Sequence, residues 1–135
     1  SLRPTTIAMI YKSDQNDDTG LWSIFGNVVN QVTVVATLIS KSGKDNSTMF
    51  VIDDGTGRID AFHWNLPDLA LEVGTIGEIV EGKYVRATGK IKINNNGRRH
   101  LQLSHIRMSS DPHELYYHLA DVMVTELVLK RGPVS

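Results

Sequence analysis

Three sets of residues in this 135-residue chain are of types that do chemistry, and two of them fail on spacing. Ile52-Asp53-Asp54-Gly55-Thr56 looks like Asp-x-Asp-Gly-Thr, in which the first aspartate attacks a phosphoryl group. Aligning Asp54-Gly55-Thr56 leaves Ile52 where that chemistry needs its nucleophilic carboxylate. Asp53, Asp54 and Asp60 also miss calcium-loop spacing, which requires further oxygen ligands and a distal glutamate. Turn chemistry accounts for these aspartates. The second set is five histidines, His63, His100, His105, His113 and His118. None forms a His-x₃-His pair, and His113 and His118, five apart, fall on different faces of a helix. No nucleophile has a base beside it by motif, and no glycine-rich loop opens a helix. An enzyme is not expected, and neither is a cofactor, a metal or a small-molecule substrate.

The third set is aromatic and basic. Arg58 to Trp64, RIDAFHW, alternates so that Phe62 and Trp64 share a side with Asp60, while Ile59 and Ala61 look buried. Rings on the outside of a strand can stack on nucleic-acid bases, and cations can track the phosphates. Residues 82 to 107 hold Lys83, Arg86, Lys90, Lys92, Arg98, Arg99 and Arg107, half of all lysines and arginines, and no carboxylate. The net charge of −1 nevertheless argues against a strong stand-alone nucleic-acid binder.

The elements that must position these groups are mostly strands. A short helix over Ile7 to Tyr11 takes Thr5 or Thr6 as its cap. Asp14 to Gly20 reads as a polar loop and LWSIFG (21 to 26) as a short strand. VVNQVTVVATLIS (28 to 40) is β-branched and alternating, with Val32, Val34, Ala36 and Leu38 as the core set. KSGKDN (41 to 46) is a turn-rich loop, TMFVID (48 to 53) a strand, and Gly55-Thr56-Gly57 a tight reversal into RIDAFHW. Residues 65 to 80 lose the alternation and suggest a connector with a short helix starting near Asp68. Residues 83 to 94 alternate again, with Val85, Ala87, Gly89, Ile91 and Ile93 inward. NNNGRR is a hairpin turn and HLQLSHIRM its partner strand.

Asp111, Pro112 and Glu114 make a capping-box start for a last helix that runs to about Lys130 and ends at Gly132-Pro133. Three strands, a connector helix, two strands and a terminal helix predict an all-β fold. It would be a five-stranded Greek-key barrel of the oligonucleotide-binding (OB) type with a C-terminal α-helix. A short β-sandwich is the runner-up. The barrel and a short N-terminal extension would occupy residues 1–110, and the helix 111–131.

In such a barrel the ligand groove lies on the second and third strands, between the loops that follow the first and the fourth. That places Trp64 and Phe62 on the groove. Lys41 and Lys44 fall in one loop, Arg98 and Arg99 in the other, and Arg86, Lys90 and Lys92 add charge from the fourth strand. On the terminal helix, Leu115, Tyr116, Leu119, Ala120, Val122, Met123, Val124, Leu127 and Leu129 fill an arc of roughly 220° at about 100° per residue. One core-facing stripe needs only somewhat more than about 100°. Assembly with helices of other chains is expected, through Leu115, Tyr116, Leu119, Ala120, Val122, Met123 and Leu127. Glu126 lies inside the arc and needs a cationic partner or an edge position.

Composition agrees with a globular domain, at 41% apolar and 21% charged residues. The absence of cysteine suits a reducing compartment and excludes disulfides and thiolate chemistry. No apolar run approaches membrane-spanning length, so no membrane partner is expected. The chain opens on Ser1, and flanking sequence is expected.

Five stretches in register, RPTTI, GNVVNQVTVVATL, FVIDDGTGRIDAFHW, GKYVRATGKIK and HELYYHLADVMVTELVL, span nearly the whole chain. Together they resemble the OB domain of the middle subunit of replication protein A, the single-stranded-DNA-binding heterotrimer. The resemblance implies large and small partner subunits joined through a three-helix bundle, single-stranded DNA as ligand, and work in nuclear DNA replication, repair and recombination. Trp64 matches the family's stacking tryptophan. A second stacking aromatic is implied in the last hairpin, where this chain has Asn94, Asn95 and Asn96. Phe62, at a position often polar or basic in the family, is the candidate substitute. Full-length members add a phosphorylated serine-rich tail and a winged-helix module, which these residues do not include. A subunit that mainly scaffolds other DNA-binding chains, there or in the related telomere-capping complex, is the alternative.

Overall fold

The computed structural model describes residues 2–44, 46–64 and 79–131. In chain order the elements are β1 (Leu2–Pro4), α1 (Ile7–Tyr11), β2 (Asp14–Gln15), β3 (Trp22–Ile24), β4 (Asn27–Val29), β5 (Gln31–Lys44), β6 (Ser47–Asp53), β7 (Arg58–Trp64), β8 (Tyr84–Ile93), β9 (Arg99–Met108) and α2 (Glu114–Arg131). The five long strands run β5-β6-β7-β9-β8, and β8 pairs back on β5, so the sheet closes. Only β7 and β9 are parallel within that ring. This is the expected OB barrel. The connector helix expected near Asp68 and the helix stop at Gly132-Pro133 lie outside the described residues.

Alternation builds the core. Val32, Val34, Ala36 and Leu38 of β5 are fully buried, as are Phe50, Ile52, Ile59, Ala61, Val85, Ala87 and Leu101. Each such side chain withdrawn from water contributes roughly 1.5–3 kcal/mol before entropy is counted. Ile93, expected inward, is 43% exposed because β8 has by then run past the barrel wall into its hairpin. At the register shift between Thr88 and Gly89 the two strands nearly touch. A Cβ on Gly89 would stand 2.3 Å from the Gln102 carbonyl oxygen, so only glycine fits.

Three local expectations change. The strand expected over 28–40 breaks at Asn30 into β4 and β5, because β4 turns away to pair with β3. The loop expected over 41–46 is largely strand, since β5 stays paired with β6 as far as Lys44↔Ser47. Asp14 and Gln15, expected in a loop, pair with Ser23 and Trp22. Short pairings of this kind carry no hydrophobic alternation of their own.

The Asp53–Gly57 turn is structural. Gly55 takes φ 87°. The Asp54 carboxylate accepts from the Ile7 amide at 2.8 Å and from the Thr56 amide at 2.9 Å, and Thr56 Oγ1 accepts from the Ala8 amide at 3.0 Å. Thr6 caps the same helix from within, its hydroxyl accepting from the Met9 amide at 3.3 Å. The turn thus fastens α1 across the barrel end, with Ile7 and Ile10 fully buried beneath it.

α2 packs along β1 and β5. Asp111 Oδ1 accepts from the His113 amide at 2.8 Å, but Glu114 does not close the expected capping box. Its carboxylate turns to the barrel, accepting from Arg86 Nε at 3.0 Å, Arg107 Nη1 at 3.3 Å and Ser109 Oγ at 2.7 Å. Burial would raise its pKa, yet these donors outweigh burial and hold it at about 2. One turn on, buried His118 places Nε2 2.8 Å from the Thr5 carbonyl, and burial keeps the imidazole below its usual pKa. Glu126 finds the cation it needed in the nearly buried Arg3.

Candidate nucleic-acid interface

Trp64 is 51% exposed at the end of β7, and Phe62 lies two residues before it on the same outer side. Paired residues of neighbouring strands share a face, so the register defines the surface around these rings. Met49 pairs with Phe62, Phe62 with Gln102, and Gln102 with Lys90, one row across four strands. In the next row Val51 pairs with Asp60, and Lys92 with His100. The His100 ring meets Phe62 edge-on, with centroids 5.3 Å apart at 88°. Burial lowers the His100 pKa, so the imidazole adds a flat neutral ring rather than a charge at neutral pH. Arg98 reaches over from the β8–β9 hairpin to within 3.7 Å of Asp60.

The structure therefore brings together Trp64, Phe62, Lys90, Lys92 and Arg98. Lys90 and Lys92 are exposed, and Arg98 has 63% of its side chain in solvent. Lys44 lies in β5 rather than a loop, at a register position in line with Ser47 and Trp64.

Three other candidate cations are placed elsewhere. Lys41 pairs with Phe50 and so shares the inner side. The register shift between Leu38 and Ser40 moves the alternation by one residue, and the Lys41 ammonium ends 3.4 Å from the Ile79 carbonyl. Arg86 is held by Glu114 under α2. Arg99, on the side of β9 opposite His100, donates to the Ser13 carbonyl at 2.7 Å and sits 5.2 Å from the Trp22 ring centroid. Positive charge alone could not have separated these three from the others.

His100 and Gln102 were not singled out from the sequence. Their signal, alternation within HLQLSHIRM, is present, but the parallel β7–β9 pairing that sets them beside Phe62 is a tertiary contact. The hairpin tip where the resemblance implies an aromatic is built by Asn94. Its side-chain carbonyl accepts from the Asn96 amide at 3.0 Å and the Arg98 amide at 2.9 Å. That residue shapes the turn that presents Arg98.

The second candidate surface is the outer side of α2. Tyr116, Met123 and Leu127 are exposed, at 68%, 66% and 52%. Ala120 is exposed beside them, and Leu115 and Leu119 are half-buried. Val122 is a correction: it is 6% exposed and belongs to the barrel's own core, so it offers no free surface. Tyr117 and Val128, also exposed, widen the apolar face beyond the expected arc. A groove lined by Phe25, Met123, Leu127 and Leu129 continues that face toward the β3–β4 turn.

Among the described residues no three histidine, aspartate or glutamate side chains converge as a metal set. None of the described helices is long and apolar enough to cross a membrane.

Comparison with known proteins agrees with the fold. The chain is 31% identical over 126 residues to Replication factor A protein 2 of Schizosaccharomyces pombe, matching 93% of this chain and 43% of that protein. The chain thus spans under half the length of the curated relatives it matches. Among solved structures it is similar to a chain of a replication protein A heterotrimer bound to single-stranded DNA. The TM-score is 0.82 at 28% identity, over 94% of this chain and 96% of that one. A chain of the S. pombe Stn1–Ten1 complex has the same fold, with TM-score 0.82 at 15% identity over 96% of this chain and 93% of that one. The family described as OB-fold nucleic acid binding domain matches residues 32–109, more than half of the sequence and all of the five-stranded ring but Gln31. The closed barrel, its ringed outer face and that match lead to one conclusion: this chain belongs to the OB-fold nucleic acid binding domain family.

Proposed function

We propose that this chain is the single-stranded-DNA-binding middle subunit of a replication protein A-like heterotrimer, acting in nuclear DNA replication, repair and recombination. Bases stack on Trp64 and Phe62, with His100 as a third ring. Lys90, Lys92, Arg98 and, from its register position, Lys44 draw the phosphates along the same face. The large and small subunits join through the exposed side of α2 in a three-helix bundle. Binding, not catalysis, is its activity. The observation that carries the reading is the half-exposed Trp64 ring on a face that continues, strand by strand, to Lys90 and Lys92.

Trp64→Ala is expected to weaken single-stranded DNA binding by roughly 1–3 kcal/mol, or less where other subunits share the strand. Fluorescence titration of the assembled complex measures this. Unchanged affinity together with an unchanged occluded length removes Trp64 from the interface.

One reading competes, that of a subunit whose barrel mainly scaffolds other DNA-binding chains. The net charge of −1 and the asparagine hairpin tip favour it. Replacing Lys90 and Lys92 by glutamine separates the two. A DNA-contacting barrel loses up to about 1.4 from the slope of log K against log salt, roughly 0.7 per phosphate contact on a single strand, whereas a scaffold loses nothing. The Stn1–Ten1 likeness, at 15% identity, carries the fold and not the partner.

A further inference from the structure

The groove between α2 and the β3–β4 turn has a volume of about 800 Å³. Met123 and Leu127 line it from the helix, and Phe25 faces them from the turn. The proposed function assigns α2 alone to assembly and leaves Phe25 without a role. Ile24 pairs with Asn27, so Phe25 and Gly26 by themselves form the hairpin loop, with φ of 49° and 83°. Two positive φ values make a type I′ turn, whose first position suits asparagine, aspartate or glycine. A bulky phenylalanine there is a steric outlier. The Asn27 side-chain amide donates to the Phe25 carbonyl at 3.3 Å and steadies the turn. Phe25 itself stays 59% exposed, so its own core does not hold it in place either.

An exposed aromatic in a strained turn, facing an apolar groove, has the properties of a binding anchor. The helical wall says what it would anchor. Tyr116, Ala120, Met123 and Leu127 follow one another along α2 at intervals of four, three and four residues, and all are exposed. That spacing makes a seam for another helix, and the small Ala120 lets a second backbone come close. Charge narrows the occupant further. Glu126, which also lines the groove, is already neutralised by Arg3, so the groove asks for no cation. Lys130, exposed at the same groove, favours an acidic residue on the incoming helix.

We infer that Phe25 is an assembly anchor: with the α2 seam it clamps an amphipathic helix of a partner subunit, apolar along its own seam and acidic where it passes Lys130. The inference rests on the proposed heterotrimer and adds to it a contact from outside the helix bundle. Phe25→Asn separates binding from folding, because asparagine followed by glycine is the pair a type I′ turn prefers. The variant is expected to melt at or above the temperature of the unmodified chain. It is also expected to join the large and small subunits at least about thirtyfold more weakly. Phe25→Gly, as a second variant, should weaken assembly likewise. Melting curves of the chain and native mass measurement of the titrated complex read the two effects. Assembly as tight as that of the unmodified chain overturns the inference. So does weaker assembly accompanied by a lower melting temperature in both variants, since Phe25 would then serve the fold. A dimer of the unmodified chain alone that Phe25→Asn disperses makes the occupant a second copy and overturns the partner helix. An unmodified chain that joins neither subunit overturns the heterotrimer reading beneath, an outcome distinct from the others.

Discussion

Met123→Glu combined with Leu127→Glu is expected to release the chain from the partner subunits proposed for it without unfolding it. Both side chains are more than half exposed on α2, one turn apart, with Tyr116 and Ala120 on the same outer surface. Exposed apolar residues contribute little to the barrel, so the folding stability should change by no more than a surface substitution allows, about 0.5 kcal/mol. In a helix bundle the same positions are buried. Two charges there forfeit the burial of two anchors, each worth roughly 2 kcal/mol or more, and the assembly weakens by about a thousandfold or beyond. Co-expression with candidate partners, followed by mass measurement, reads the outcome. Intact co-purification would show that α2 is not the assembly element. Truncation before Asp111 is a poorer test, because it also removes Glu114, His118 and Val122, which the barrel itself uses.

Glu114→Ala is expected to cost roughly 2–3 kcal/mol of folding stability at neutral pH, the worth of charge-assisted hydrogen bonds lost from a buried acceptor. It leaves Arg86 and Arg107 without their anion and detaches the first turn of α2 from Ser109. The effect has a pH signature. The Glu114 carboxyl titrates at about 2 in the folded chain against 4.5 for an unperturbed glutamate, so the unfolded chain takes up its proton first on acidification. Its contribution is complete above pH 4.5 and is lost as the pH falls toward 2. The stability gap between the unmodified chain and the Glu114→Ala variant should therefore be constant from neutral pH to about 4.5 and close below it. His118 acts earlier in the same direction. Its folded pKa is depressed from 6.5, so stability begins to fall as the pH drops below 6.5 and the unfolded imidazole is protonated. Urea titrations at neutral pH, near pH 5 and near pH 3 test both. A constant gap down to pH 3 would mean that Glu114 acts through packing rather than charge.

Much of the barrel could be read locally because β-strands record burial in a period of two. Val32 to Leu38, Ile59 to Ala61 and Val85 to Ile91 are legible for that reason, and Trp64 and Phe62 stood out as rings on the polar side of such a pattern. The misplaced cations fail for one shared cause. A bulge, a helix docked overhead and a second small sheet each redirect a long basic side chain, and none of the three is written beside the residue it moves. Lys41, Arg86 and Arg99 look like Lys90 and Lys92 in sequence and differ in what covers them. Val122 misleads in the opposite way. An apolar arc broad enough for two surfaces does not say which edge turns inward, and only the position of β1 and β5 under α2 decides it.

By itself the amino-acid order determined the strand succession, the alternating core, the start of the terminal helix near Asp111 and its excess of apolar surface. Those properties depend on neighbours within a few residues, where steric preference and solvation act directly. Tertiary structure alone decided that Asp54 and Thr56 fasten α1, that Glu114 serves the barrel rather than its own cap, and that His100 meets Phe62. Each of those contacts joins residues far apart in the chain. Its geometry exists only once the sheet has closed and β7 lies beside β9, because chain closure, not local preference, brings such partners within hydrogen-bond or ring-contact distance.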